Sequence, residues 1–267
     1  MKKPSRIILA ACALISIAVT AQAEPIPVWL GLTPESQLTV TIDALGGSVS
    51  ASATTGLHGN VHALIDWTED SIIGPFATMF GVEAFDINAD DFGLELDLGP
   101  QLGSLMAAAQ GVHLGGSGPL ASFFQATGGP GLTPMSWFDL AGTTLAADDG
   151  VITYEGTGGA GALFPPGTFD FAADPAQFVL PAGSSVKVIE DPIVPGQKAN
   201  VTLLLPFSVA TLLTTDAGGI NATISGMIVA TGMKIIPEPA SWLLIGLGLT
   251  GIIPLVRRRF CRRVGRA

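Results

Sequence analysis

Cysteine is almost missing from this chain of 267 residues, and the two that occur, Cys12 and Cys261, stand near its two ends. Residues 24–236 therefore form no disulfide, no cysteine-ligated zinc site and no cysteine nucleophile, so that stretch must be held together by packing alone. Positive charge is equally scarce there. Lys187, Lys198 and Lys234 face 21 acidic residues, which leaves a formal charge of −18 with histidines neutral. A surface of that sign repels a phosphate backbone and excludes nucleic acid as a partner. Local catalytic signatures are missing as well. No G-x-S-x-G and no P-loop occurs, and Gly115-Gly116-Ser117-Gly118-Pro119 has Pro where a nucleophile elbow needs Gly. What is abundant is apolar: 48% of residues are hydrophobic and 13% charged, enough to exclude a solvated disordered polymer and to build a core.

The basic residues collect at the ends. Lys2, Lys3 and Arg6 precede an apolar run from Ile7 to Val19, and Ala21-Gln22-Ala23 follows it. A basic start, a short apolar run and an A-x-A site make a secretory signal peptide, assigned here to residues 1–23 and cut by signal peptidase before Glu24. An uncleaved anchor is a poorer reading, because this run gives only about 20 Å of helix against a hydrocarbon core of ~30 Å. Leu9-Ala10-Ala11-Cys12 is similar to a lipobox, but it follows Arg6 too closely and the apolar run continues past the cysteine.

Towards the other end, residues 240–256 carry no charge, and at 1.5 Å per residue they reach about 25 Å, the lower limit for a transmembrane helix. Arg257, Arg258, Arg259, Arg262, Arg263 and Arg266 follow at once. Such a cluster stays cytoplasmic and places the acidic region before it outside. Gly246, Gly248, Gly251 and Pro254 would weaken a water-soluble helix, yet membrane helices tolerate them. Immediately upstream stand Pro237-Glu238-Pro239. The two prolines fix φ and drive their predecessors toward extended conformations, which suits a strip presented to a protease or transpeptidase. Triplet, apolar helix and arginine tail, in that order within residues 237–267, resemble the PEP-CTERM sorting domain. The resemblance implies that the chain is the substrate of an exosortase, anchored in the inner membrane and then transferred to the cell surface or extracellular matrix.

Between the ends, alternation of period two predicts an all-β, sandwich-like exported domain over residues 24–236. Gln37 to Ala44 puts Leu38, Val40 and Ile42 on one face, and Phe92 to Leu98 does the same with Phe92, Leu94, Leu96 and Leu98. Further strands are expected at 47–53, 150–155, 177–180, 185–189, 200–205, 208–213 and 220–233, separated by turns such as Asp149-Gly150 and Pro181-Ala182-Gly183. The one helix candidate is Gln101 to Ala109. Residues 100–134 hold eight glycines and, with 157–167, read as long Gly-rich surface loops.

Within that domain the strongest chemical pattern is Asp86, Asn88, Asp90 and Asp97, oxygens at positions 1, 3, 5 and 12 of a calcium loop, which makes Ca²⁺ the one candidate cofactor. Asp91 occupies the position where such a loop needs Gly, so a plain acidic turn is the competing reading. His58 and His62 have the spacing of a helical zinc motif, but Gly56 and Gly59 oppose a helix and Gly59 stands where the catalytic Glu would be. They read as a turn with two ordinary histidines. Trp29, Trp67, Trp137 and Tyr154 could stack on sugars or simply belong to the core. Taken together these features favour a non-enzymatic, envelope- or exopolysaccharide-associated protein whose negative charge keeps chains apart or binds cations bridging anionic polysaccharide. The alternatives are a secreted polysaccharide hydrolase and a Ca²⁺-dependent carbohydrate-binding module.

Overall fold

The computed structural model describes residues 25–44, 47–70, 74–129, 132–191, 198–215 and 218–235. Fourteen strands and one helical turn fill them: β1 (Ile26–Leu32), β2 (Gln37–Ala44), β3 (Val49–Asp70), β4 (Gly74–Ala89), β5 (Phe92–Asp97), β6 (Ser104–Ser117), β7 (Ala121–Gly129), β8 (Leu132–Asp139), β9 (Thr144–Gly156), α1 (Ala160–Leu163), β10 (Gly167–Asp170), β11 (Ala176–Val179), β12 (Ser185–Asp191), β13 (Lys198–Thr215) and β14 (Gly218–Ile235). The expectation of an all-β domain holds. The strands form one continuous fourteen-stranded sheet rather than two separate ones. Among the described residues no helix is long and apolar enough to cross a membrane. The expected signal peptide (1–23), the Pro237-Glu238-Pro239 strip, the span at 240–256 and the arginine tail lie outside the described residues.

The sheet is continuous because its longest strands change partners along their length. β3 pairs with β2 through Ala51↔Ile42 and with β1 through Val61↔Leu30, so β1 and β2 run end to end along one of its edges. Both also pair with β14, through Leu32↔Ala230 and Val40↔Ile224. Residues 33–36 interrupt this line, and the buried Ser36 hydroxyl repairs it. It donates to the Val229 carbonyl at 2.9 Å and accepts from the Val229 N–H at 3.0 Å, which satisfies both backbone groups in the gap. Pairings β3–β2–β14–β13–β12–β8–β7–β4 then return to β3, a closed ring of eight strands that leaves no free edge within it. β4 forks: Met79 and Phe80 meet β7, while Ile87 and Asn88 meet β6. From that second branch β6, β9 and β10 continue, with β5 on β6 and β11 on β9.

Several local expectations are overturned. Residues 101–109 are not a helix; Ser104 to Ala109 belong to β6, hydrogen-bonded to β5 on one side and β9 on the other. The Leu-Met-Ala-Ala-Ala run has helical propensity, but strand partners on both edges override it. Residues 100–134 are mostly strands β6, β7 and part of β8 rather than loops. Their glycines serve close backbone approach: at Gly116 (φ +132°) a Cβ would strike the Thr144 carbonyl of β9. Residues 157–166 remain a connection, containing only α1, and Gly167 opens β10. Asp149-Gly150 is no turn but an irregularity inside β9, where the register on β6 shifts between Gln110 and His113. The two strands expected on either side of Pro206 are one, β13. Pro206 is tolerated because the β12 pairing ends at Lys187↔Leu204, so no ladder donor is missed on that edge.

The core within the ring is dense. Leu30, Ile65, Phe80, Phe138, Val188, Leu203 and Ile228 are fully buried there. The Phe80 and Phe138 rings, 5.5 Å apart between centroids, tie β4 to β8. A second, smaller cluster of Ala44, Leu94, Leu96 and Leu105 joins β2, β5 and β6.

Candidate functional site

The acidic pattern lies on the outer face of neighbouring strands. Asp86 and Asn88 of β4, and Asp90 directly after it, alternate with the buried Phe85, Ile87 and Ala89, so all three project to the solvent side. Extended backbone sets them in a row instead of wrapping them around a centre, and Asp97 sits at the far end of β5. The three aspartates are each engaged by a neighbour. Asp90 Oδ1 lies 3.4 Å from His58 Nδ1, and the Asp97 carboxylate accepts the Gly99 N–H at 2.8 Å in a turn. Asp91 caps the Gly111 N–H at 3.0 Å. No group of three or more His, Cys, Asp or Glu among the described residues is arranged to hold a metal ion.

His58 and His62 are both in strand β3 rather than in a turn, since Gly59 takes φ +127° where β3 and β4 approach closely. His62 meets the Trp29 ring, which is 63% exposed. Trp137 is half-buried beneath the Lys187 ammonium, 5.4 Å from its ring centre.

His113, unassigned by sequence, is the centre of the outer face. Its position on β6 pairs with Asn88 of β4 and Asp149 of β9. Its Nδ1 meets Asp148 Oδ1 at 2.5 Å and its Nε2 meets Asp86 Oδ1 at 3.2 Å. Gly115 makes this possible, because a Cβ there would collide with the Asp148 carboxylate. Partial burial pushes the imidazole pKa down, but hydrogen bonds and charge from Asp148 and Asp86 outweigh it and raise the pKa above 6.5. In its protonated form the ring donates from both nitrogens to the two carboxylates, which is the form that the raised pKa favours. The cluster is an electrostatic strap that joins β4, β6 and β9 through Asp86, His113 and Asp148.

A second ionic group is internal. Lys234 near the end of β14 and Glu190 on β12 are 5% and 1% exposed. Glu190 Oε2 accepts the Ala77 N–H at 3.1 Å, and Lys234 Nζ reaches the Ile65 carbonyl at 3.5 Å. Burial pushes the lysine pKa down to about 7, opposed by the charges of Glu190 and Asp66.

Sequence reasoning missed one large geometric feature altogether. An apolar chamber of about 660 Å³ lies between the inner faces of β2, β13 and β14 and those of β5, β6, β9, β10 and β11. Of its 24 lining residues only Tyr154 and Gln177 carry polar side-chain atoms, and none is charged. Inward residues such as Val40, Ile42, Ala107, Ile152 and Ile224 stay half-buried because they face this space. Five lining positions are alanine, the sequence trace of an interior left unfilled. At its rim Tyr154 is 38% and Phe169 37% exposed. The Tyr154 ring crosses Gly167, its partner on β10, where a Cβ would meet the phenol.

No curated protein and no solved structure matches the chain. Residues 236–263, beginning directly after β14 ends at Ile235, match the family model of the PEP-CTERM protein-sorting motif. The C-terminal segment of this chain is thus a PEP-CTERM protein-sorting motif, which implies an exported protein sorted by an exosortase.

Proposed function

We propose that this is a structural or interaction protein of the cell envelope or its exopolysaccharide, with residues 24–236 displayed outside the cell and residues 237–267 serving as the sorting handle. The sorting-motif match at residues 236–263 carries the reading. In it, Pro237, Glu238 and Pro239 form the strip offered to the exosortase, residues 240–256 span the membrane before processing, and Arg257, Arg258, Arg259, Arg262 and Arg263 hold the tail in the cytoplasm. Two features of the domain support a non-catalytic role: its one histidine cluster is locked by two carboxylates, and its acidic outer face suits contact with cation-bridged anionic polymer. The sandwich-like opposition of two apolar faces around the chamber supports a binding module rather than an open catalytic cleft.

The test is fractionation of the tagged full chain and of a chain lacking residues 237–267, in cells with and without exosortase. The full chain is expected in the envelope or matrix fraction only when exosortase is present, and the truncated chain free in the periplasm or medium. Identical distribution of the two overturns the proposal. Within the motif, Glu238→Gln is expected to slow processing; unchanged processing removes the role assigned to that charge.

A further inference from the structure

We propose that the interior chamber is a binding site for one uncharged, lipid-like small molecule carrying a single hydrogen-bonding group. Its volume of about 660 Å³ falls in the ~300–1,000 Å³ range of small-molecule pockets, and is roughly four times the ~150 Å³ cavity that accommodates benzene. Close-packed interiors leave few voids larger than a water molecule, so a space of this size is not a packing fault. Water is a poor occupant, because each buried molecule needs two to four polar partners and the walls are aliphatic and aromatic. The occupant is therefore apolar.

The lining also decides its charge. No lysine, arginine or histidine reaches the chamber, and three lysines face 21 acids across residues 24–236, so an anionic headgroup finds no counter-charge. A cationic headgroup finds no carboxylate in the lining either. Neutral polarity is provided for at Tyr154, since Gln177 sits opposite Ala146 at the other end of β9 and is exposed between the inward Ala176 and Phe178. Tyr154 and the exposed Gln177 are the two polar lining residues, and the half-exposed Tyr154 and Phe169 mark where the chamber meets solvent. A long-chain alcohol or ester entering tail first would bury its chain among Leu94, Leu105, Ile152 and Ile224 and leave its oxygen beside the Tyr154 phenol. This inference is independent of the sorting motif, since it rests on residues of β2, β5, β6, β9, β10, β11, β13 and β14 alone.

The test uses the full chain held in an amphipathic polymer, with diphenylhexatriene as a purely hydrocarbon fluorescent probe. Saturable binding with a stoichiometry of one is expected, displaced by hexadecanol, and displaced by palmitate at least about 10-fold more weakly because the carboxylate has no partner. Ala107→Phe projects a ring into the chamber and is expected to abolish saturable binding; Ala147→Phe serves if the first variant loses its strand circular dichroism. Tyr154→Phe is expected to leave the hydrocarbon probe unchanged and to weaken hexadecanol about 5-fold, the worth of one net hydrogen bond. Independently of any variant, saturating hexadecanol is expected to raise the Tm of the wild-type chain. Equal probe binding by wild type and a folded filled-chamber variant, palmitate binding as tightly as hexadecanol, or no rise in Tm would each overturn the proposal.

Discussion

At the scale of single residues, two ionic groups behave oppositely because one is exposed and one is not. The His113 pKa is raised in the fold, so its strap to Asp86 and Asp148 contributes fully below the unfolded value of about 6.5 and is lost as pH rises through the higher folded value. The Tm difference between wild type and His113→Asn is therefore expected to be larger at about pH 6 than at about pH 9, measured by thermal melts across that range. Lys234 of β14 is buried with Glu190 of β12 and feels its charge together with that of Asp66, so removing the lysine charge unbalances a buried ionic group. Lys234→Met is expected to cost ~3–5 kcal/mol by denaturant unfolding, whereas Lys234→Met combined with Glu190→Leu should recover much of that loss. None of these pairings was legible in the chain, since His113, Asp148 and Asp86 are brought together only by the β4–β6–β9 register. Asp86 was singled out for a calcium loop, yet its immediate partner is an imidazole from 27 residues away.

At the scale of elements, alternation was a reliable guide wherever a strand has one buried face. Gln37 to Ala44 and Phe92 to Asp97 form strands over nearly the predicted residues. It failed where glycine and alanine dominate, because small residues carry no strong period and their strand state is imposed by neighbours, as in β6. It also failed in β3, whose middle carries Gly56, His58, Gly59, Asn60 and His62 but is held beside β4, with β1 joining from Asn60. Gly59 is the point of closest approach: at φ +127° a Cβ would run into the Asp86 carbonyl and lie 3.1 Å from Ile87 Cα. Gly59→Ala is expected to destabilise by at least ~1–3 kcal/mol from backbone conformation alone, a fall in Tm of at least about 2–4 °C by calorimetry. At Gly99, where φ is +90° but a Cβ meets nothing within 4 Å, that conformational loss applies without the added clash.

At the scale of the whole molecule, the closed ring of eight strands does the work that disulfides do in many exported domains. With no cysteine between residues 12 and 261, the thermal transition of the β-sheet region is expected to be the same with and without dithiothreitol, and a shift on reduction would contradict it. The sequence by itself determined the destination and the class of this protein. Charge segregation, the apolar runs and the Pro-Glu-Pro strip are local, one-dimensional signals, and alternation with scarce charge is enough to specify β structure. Which strands meet is another matter, because pairing across β4, β6 and β9 or β3, β1 and β14 depends on contacts far apart in the chain. The tertiary structure alone decided that the sheet closes, that His113 is trapped between two carboxylates, and that alanines from separate strands leave a common space at the centre. A void is a property of several surfaces at once, so no single segment could have announced it.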